Sequence, residues 1–159
     1  MLAIRESRNA IGCQLVADAL HSWGSAKIRV TGSSMLPRVL PGDVIVVERV
    51  QTSEVACGDI ALFARDNRLF AHRVVEWDER HYRVSTSGDS LAAADPPITA
   101  DELLGRVTSI LRGHRSVPPA ATLLHRIGSL LLKHSEFLTK CFLWMHSRTR
   151  SLREETEWT

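Results

Sequence analysis

The stretch "DIALFARDNRLFAHRVVEWDERHYRVSTSGD", residues 59–89, decides the fold. It is rich in β-branched and aromatic residues, and two turn signals, near Asp66-Asn67 and near Asp78-Glu79, cut it into runs of strand length. Such runs read as two hairpins, because branched side chains fit a pleated surface and Asp-Asn pairs tolerate the tight turn. Upstream, "KIRVTG" (27–32) and "DVIVVERV" (43–50) are also strand-like, and downstream "LLGRVTSILRG" (103–113) supplies a final strand. Residues 27–113 therefore predict a compact, mainly antiparallel β domain of short strands.

The period changes on both sides of this core. From Arg8 to Trp23, Ile11, Leu15, Ala19, Leu20 and Trp23 recur at helical spacing and Gly24 stands at the C-cap position, which predicts one short amphipathic helix. After "SVPPA" (116–120) the helical period returns. In residues 121–146, His125, Ser129, Lys133, Glu136 and Lys140 share one stripe of an otherwise apolar segment. The expected layout is an N-terminal helix over 1–25, a β domain over 26–115, and a C-terminal amphipathic helix with a basic tail over 116–159.

Composition excludes several classes of function. A chain of 159 residues with 44% hydrophobic and 24% charged residues is ordinary for one globular domain. The formal net charge of +2, without a Lys/Arg run interleaved with aromatics, gives no footprint for nucleic acid. Cys13, Cys57 and Cys141 are far apart and form no metal-ligand spacing, so reduced thiols, no zinc and no cofactor are expected. The first twenty residues carry Arg5, Glu6, Arg8 and Asp18, which suits neither a signal peptide nor a membrane span, and a cytoplasmic location is the expectation. Between Arg126 and Arg153 six Lys/Arg face a single acid, Glu136. Such a basic amphipathic segment can make peripheral contact with an anionic inner-membrane face, although packing onto the β domain or a partner is the preferred reading.

Chemistry enters with "VTGSSMLPRVLPGDVIVV", residues 30–47. A serine hydroxyl is a weak nucleophile at neutral pH and needs a positioned base, a group that orients the base, and donors for the oxyanion. Gly32 beside Ser33-Ser34 would let a turn expose a hydroxyl and aim backbone N–H groups at a carbonyl. Downstream, in order, come "CGDIALF" (57–63), "AHRVV" (71–75), "STSGDS" (85–90), Asp95 and "LLGRV" (103–107).

These short motifs, in this order, resemble the type I signal peptidase superfamily, which includes the LexA-like self-cleaving repressors. Ser34-Met35 with Pro37 resembles the nucleophile box, "PGDVIVV" and "GDIALF" the two Gly-Asp strand starts, and "HRVV" the box of the general base. Leader peptidases and LexA-like proteins carry lysine there; this chain has His72. In that respect it is closest to the archaeal and endoplasmic-reticulum branch, which works with serine, histidine and aspartate. The resemblance implies a serine endopeptidase with Ser34 as nucleophile, His72 as base, Asp95 as its orienting carboxylate and Asp89 as a supporting acid. Gly32 and Ser33 would form the oxyanion turn, with Gly32 where many members place a hydroxyl. The substrate would be a peptide or protein bound as an extended strand.

The replacement of lysine by histidine is chemically coherent. A free imidazole with a pKa of about 6.5 accepts a proton near neutrality, whereas a lysine near 10.4 must first be desolvated. A histidine base gains from a carboxylate that holds its tautomer. Two alternatives accompany this reading: a non-catalytic peptide-binding module on the same fold, and a LexA-like protein that cleaves itself. The second is disfavoured because the only Cys-Gly bond, Cys57-Gly58, comes after Ser34. Asp43 and Asp59 read as turn caps at strand starts, and the remaining histidines (21, 81, 114, 125, 134 and 146) are assigned no role.

Overall fold

The computed structural model describes residues 2–78 and 83–120, with side chains in the first helix from Asn9 onward. Helix α1 spans Leu2–Trp23 and is followed by β1 (Ser25–Arg29), β2 (Val44–Glu48), β3 (Ile60–Arg65), β4 (Arg68–Asp78), β5 (Arg83–Ser87), β6 (Leu103–Arg112) and β7 (Arg115–Val117). The strands form one antiparallel sheet in the order β1-β2-β6-β3-β4-β5, with β7 pairing β6. The mainly β architecture with a leading helix is the one the strand-length runs predict. The helix expected over 121–146, its basic tail and most of the turn after Asp78 lie outside the described residues.

The β3–β4 hairpin turns where the sequence reads. Asp66 and Asn67 both take positive φ (50° and 56°) between the paired Arg65 and Arg68, a two-residue turn whose twist matches the strands it joins. β3 is buried on both faces. Ile60 and Leu62 join one cluster with Leu20, Met35, Ile45, Val47 and Ile110, while Ala61 and Phe63 join another with Val74, Val84 and Ile98. Burial on both faces is why "IALF" is continuously apolar rather than alternating.

Three local expectations change. The helix starts at Leu2 instead of Arg8, because Leu2, Ala3, Arg5 and Glu6 are good helix formers with no breaker among them. Its packing face also differs from the predicted stripe: Leu20 is fully buried and Val16 packs on the same cluster, whereas Ile11 (67%), Leu15 (66%) and Trp23 (78%) are exposed. Leu20 thus ties α1 into the main core, contributing about 1.5–3 kcal/mol, and burial in the same face pushes the Cys13 thiol up. Finally, pairing runs two residues past the expected end of the β domain at 115: Arg115–Val117 pairs with β6 as a short hairpin strand, and Val117 packs on the first cluster. No described helix is long and apolar enough to cross a membrane.

Candidate active site

Ser34 is held by its C-terminal neighbours. Met35 and Leu36 are buried, at 4% and 0% exposure, so the turn after Ser34 is pinned by its own side chains while Ser34 stays partly open. Within that turn Leu36 N–H donates to Ser33 O at 3.2 Å and Val39 N–H to Met35 O at 2.9 Å. On the N-terminal side, Gly32 has open space where a side chain would stand. Ser34 is therefore flanked by a buried anchor on one side and accessible backbone on the other.

A second turn, residues 88–90, clamps this loop. Ser90 donates its N–H to Ser34 O at 2.9 Å and its hydroxyl to Ser33 O at 2.9 Å. Gly88 lies so close that a Cβ there would sit 2.7 Å from Ser34 O. Only a residue without a side chain allows that approach.

His72 comes from the middle of β4, opposite Ala61 on β3, and its side chain is 5% exposed. Phe63 and Phe70 stack at 5.4 Å between centroids and both meet the imidazole edge-on, at 6.0 and 5.9 Å, which fixes the plane of the ring. Its Nε2 lies 2.9 Å from Ser34 Oγ, and its Nδ1 lies 2.6 Å from Asp95 Oδ2. An ionised carboxylate only accepts hydrogen bonds, so Nδ1 carries the proton and Nε2 presents its lone pair to the Ser34 hydroxyl.

Asp95 sits on the loop after β5, tied to that strand twice. Its N–H donates to Thr86 O at 2.8 Å, and the Thr86 hydroxyl donates to its Oδ2 at 2.8 Å. Arg65 at the end of β3 holds the next two residues by donating to Pro96 O and Pro97 O, each at 3.0 Å. The same guanidinium pairs bidentately with Glu102 at 2.6 and 2.7 Å. That pairing pushes the Glu102 carboxyl down to about 2, its hydrogen bonds from Arg65 being the largest cause, and the Arg65 guanidinium is raised for the same reason.

Of the residues singled out in the sequence, the structure brings Ser34, His72 and Asp95 into one hydrogen-bonded line and keeps Asp89 out of it. Asp89, expected as a supporting acid to the base, is bound by Arg73, whose Nε and Nη2 donate to its two oxygens at 2.8 and 2.7 Å. The reason is strand alternation: Arg73 is next to His72 in the chain and points to the other face of β4. Asp89 thus locks the 88–90 turn to β4 and does not reach the imidazole. Ser33 contributes its carbonyl to the clamp. Asp43 and Asp59 behave as the turn caps they resemble, accepting from Leu40 N–H at 2.8 Å and Ala56 N–H at 3.0 Å, with Arg112 and Arg106 as further partners.

Four contributors escape a reading of the sequence: Thr86, Ser90, Arg65 and the Phe63–Phe70 pair. Only the phenylalanines carry a usable signal, since Phe70 lies two residues before His72 on the same strand face. Among the described residues no group of three His, Cys, Asp or Glu side chains is placed to hold a metal ion. The model of the family described as Peptidase S24-like matches residues 10–108, more than half of the chain and all three members of the line. A search of curated proteins finds no match.

Proposed function

We propose that the chain, which belongs to the Peptidase S24-like family, is a serine endopeptidase that cleaves peptide substrates through an acyl-enzyme, with Ser34, His72 and Asp95 as its catalytic residues. The observation that carries this reading is the bridging imidazole, 2.9 Å from Ser34 Oγ and 2.6 Å from Asp95 Oδ2. Ser34 Oγ attacks the scissile carbonyl carbon as its proton passes to His72 Nε2, and the backbone N–H of Ser34 stabilises the oxyanion. Asp95 holds the imidazolium that forms. The proton then goes to the leaving amine as the C–N bond breaks, leaving an ester on Ser34. Water attacks that ester in the same way, with His72 taking and returning one proton.

The use of histidine with aspartate supports likening its chemistry to the archaeal and endoplasmic-reticulum type of signal peptidase rather than to the lysine-based members. The substrate would bind as an extended strand. β1 pairs only with β2 among the described strands and runs on into Gly32–Ser34, so its outer edge supplies backbone groups beside the nucleophile. Cleavage of a separate substrate fits better than self-cleavage at Cys57-Gly58, because Gly58 is committed at both ends: its N–H donates to Val74 O at 2.9 Å and its carbonyl accepts from Arg73 at 2.8 Å.

A fluorophosphonate probe combined with peptide mapping tests the nucleophile without a known substrate. Wild type should be labelled on Ser34, Ser34→Ala should not be labelled, and Ser33→Ala should retain most of the labelling. Label on another residue, or label that survives Ser34→Ala, would overturn the assignment.

A further inference from the structure

We propose that Thr86 is a positioning residue of the site, its hydroxyl fixing the orientation and the charge of the carboxylate that faces His72; the proposal deepens the serine-peptidase reading and rests on it for its effect on rate. The Thr86 side chain is fully buried on β5, so its hydroxyl must find a partner inside the protein. The hydroxyl donates to Asp95 Oδ2 at 2.8 Å, the same oxygen that accepts from His72 Nδ1 at 2.6 Å.

Two donors converging on one oxygen stop the carboxylate from rotating about its terminal torsion, which is otherwise broad and soft. The backbone already fixes where Asp95 is, through Asp95 N–H to Thr86 O at 2.8 Å. What the hydroxyl adds is where the carboxylate points and how much of its charge remains for the imidazole. A hydrogen bond to the ionised form stabilises that form and spreads its charge, and removing the bond leaves more of the charge facing the ring.

The charged groups around Asp95 come from each strand packed beside it. His72 reaches it from β4, and Arg65 of β3 interacts with it electrostatically while pairing mainly with Glu102. Neither changes when Thr86 is replaced. Thr86→Val keeps the shape, the β-branch and the backbone bond, and deletes the donor alone. Thr86→Ser keeps the donor and deletes a buried methyl.

The two variants therefore separate packing from positioning. If the hydroxyl acts as proposed, Thr86→Val displaces the pH midpoint of the His72 imidazole, monitored by NMR in the full chain, by about half a unit or more, because the ring no longer faces a carboxylate of fixed direction and shared charge. Thr86→Ser leaves that midpoint at the wild-type value. Acylation by a fluorophosphonate probe at pH 7 should slow about tenfold in Thr86→Val and less than about threefold in Thr86→Ser. The serine variant should nevertheless be the less thermally stable of the two, since it loses packed volume. An imidazole midpoint in Thr86→Val that matches wild type overturns the proposal, as does equal slowing in both variants. A shifted midpoint in a protein that no probe acylates would uphold Thr86 as the group that sets Asp95 and would instead reject the peptidase reading.

Discussion

The close approach of Gly88 to the Ser34 loop makes Gly88→Ala a probe of how tightly that loop must be placed. A Cβ at this position would stand 2.7 Å from Ser34 O, 2.8 Å from Leu91 Cγ and 2.9 Å from Leu91 Cδ1, where ordinary contacts begin at 3.4 Å. Leu91 is a partly exposed side chain and can swing away. The Ser34 carbonyl is backbone and cannot, so the strain falls on Ser34, which must retreat by about 0.7 Å or lose the Ser90 clamp. Displacing a reacting group by about 1 Å typically costs on the order of a hundredfold in rate, so a loss of roughly 30- to 100-fold in acylation is expected. Global stability should change far less, since the clash is with a half-open loop: about 1–3 kcal/mol, the usual cost of overpacking. The assay is the second-order rate of fluorophosphonate labelling on Ser34, with melting measured on the same preparation. A folded Gly88→Ala protein that is acylated within twofold of wild type would refute the reasoning, because it would show that the loop absorbs the methyl without moving Ser34 Oγ from His72.

Other substitutions read other parts of the arrangement. His72→Ala should slow acylation by about a thousandfold or more, with Asp95→Asn costing less and Asp66→Asn, in the distant β3–β4 turn, costing nothing measurable; labelling rates rank them. Asp89→Asn should lower stability and rate modestly while leaving the pH dependence of acylation unchanged, since Asp89 touches Arg73 and not the imidazole; a changed pH profile would return it to the catalytic line. Glu102 makes a stability contribution with a definite sign. Its carboxyl is held at about 2, below its ordinary value of 4.5, so the stabilisation is complete above pH 4.5 and fades as pH falls toward 2. Urea melts should therefore show Glu102→Gln less stable than wild type at pH 6, with the gap narrowing at pH 3 and nearly closed at pH 2. Gly12→Ala should raise the melting temperature by a few degrees with no change in acylation, because nothing lies within 4 Å of the added Cβ and helical glycine costs about 0.5–1 kcal/mol relative to alanine.

Local chemistry explains which parts of the molecule are legible in advance. The β3–β4 hairpin is written in neighbouring residues: a run buried on both faces, then Asp66-Asn67, both of which take the positive φ that the turn demands. Ser34, His72 and Asp95 stand out through motif order, and the structure brings the three side chains into one hydrogen-bonded line. The face of α1 is harder to read, because only Val16 and Leu20 dock while Leu15 and Trp23, equally apolar, face outward. Asp89 misleads for a related reason. Nearness to the motif says that it approaches β4, but which of two adjacent residues it meets depends on the face each presents, and Arg73 presents the matching charge. Thr86, Ser90 and Arg65 are residues of common type whose partners lie 9, 57 and up to 37 positions away, and such pairings exist only once the sheet has formed.

These long-range partners also explain how a loop serine and a loop carboxylate are held against a rigid imidazole. Only His72 lies on a strand interior; Ser34 and Asp95 are both on connections, which are ordinarily the mobile parts of a protein. The segment from Thr86 to Ser90 lies between them and fixes both. Thr86 secures Asp95, Ser90 and Gly88 secure the Ser34 loop, and Asp89 fastens the intervening turn to β4 through Arg73, one residue from His72. A single turn thus sets both distances that matter, Ser34 to His72 and His72 to Asp95. Damage to it should therefore not be additive. Combining Gly88→Ala with Thr86→Val should slow acylation by clearly less than the product of the two separate losses, since each change already unseats the shared support, whereas Gly88→Ala with a distant change such as Gly12→Ala should multiply independently. Strict multiplication in the first pair would mean that the two loops are held separately and that the turn between them is only a connection.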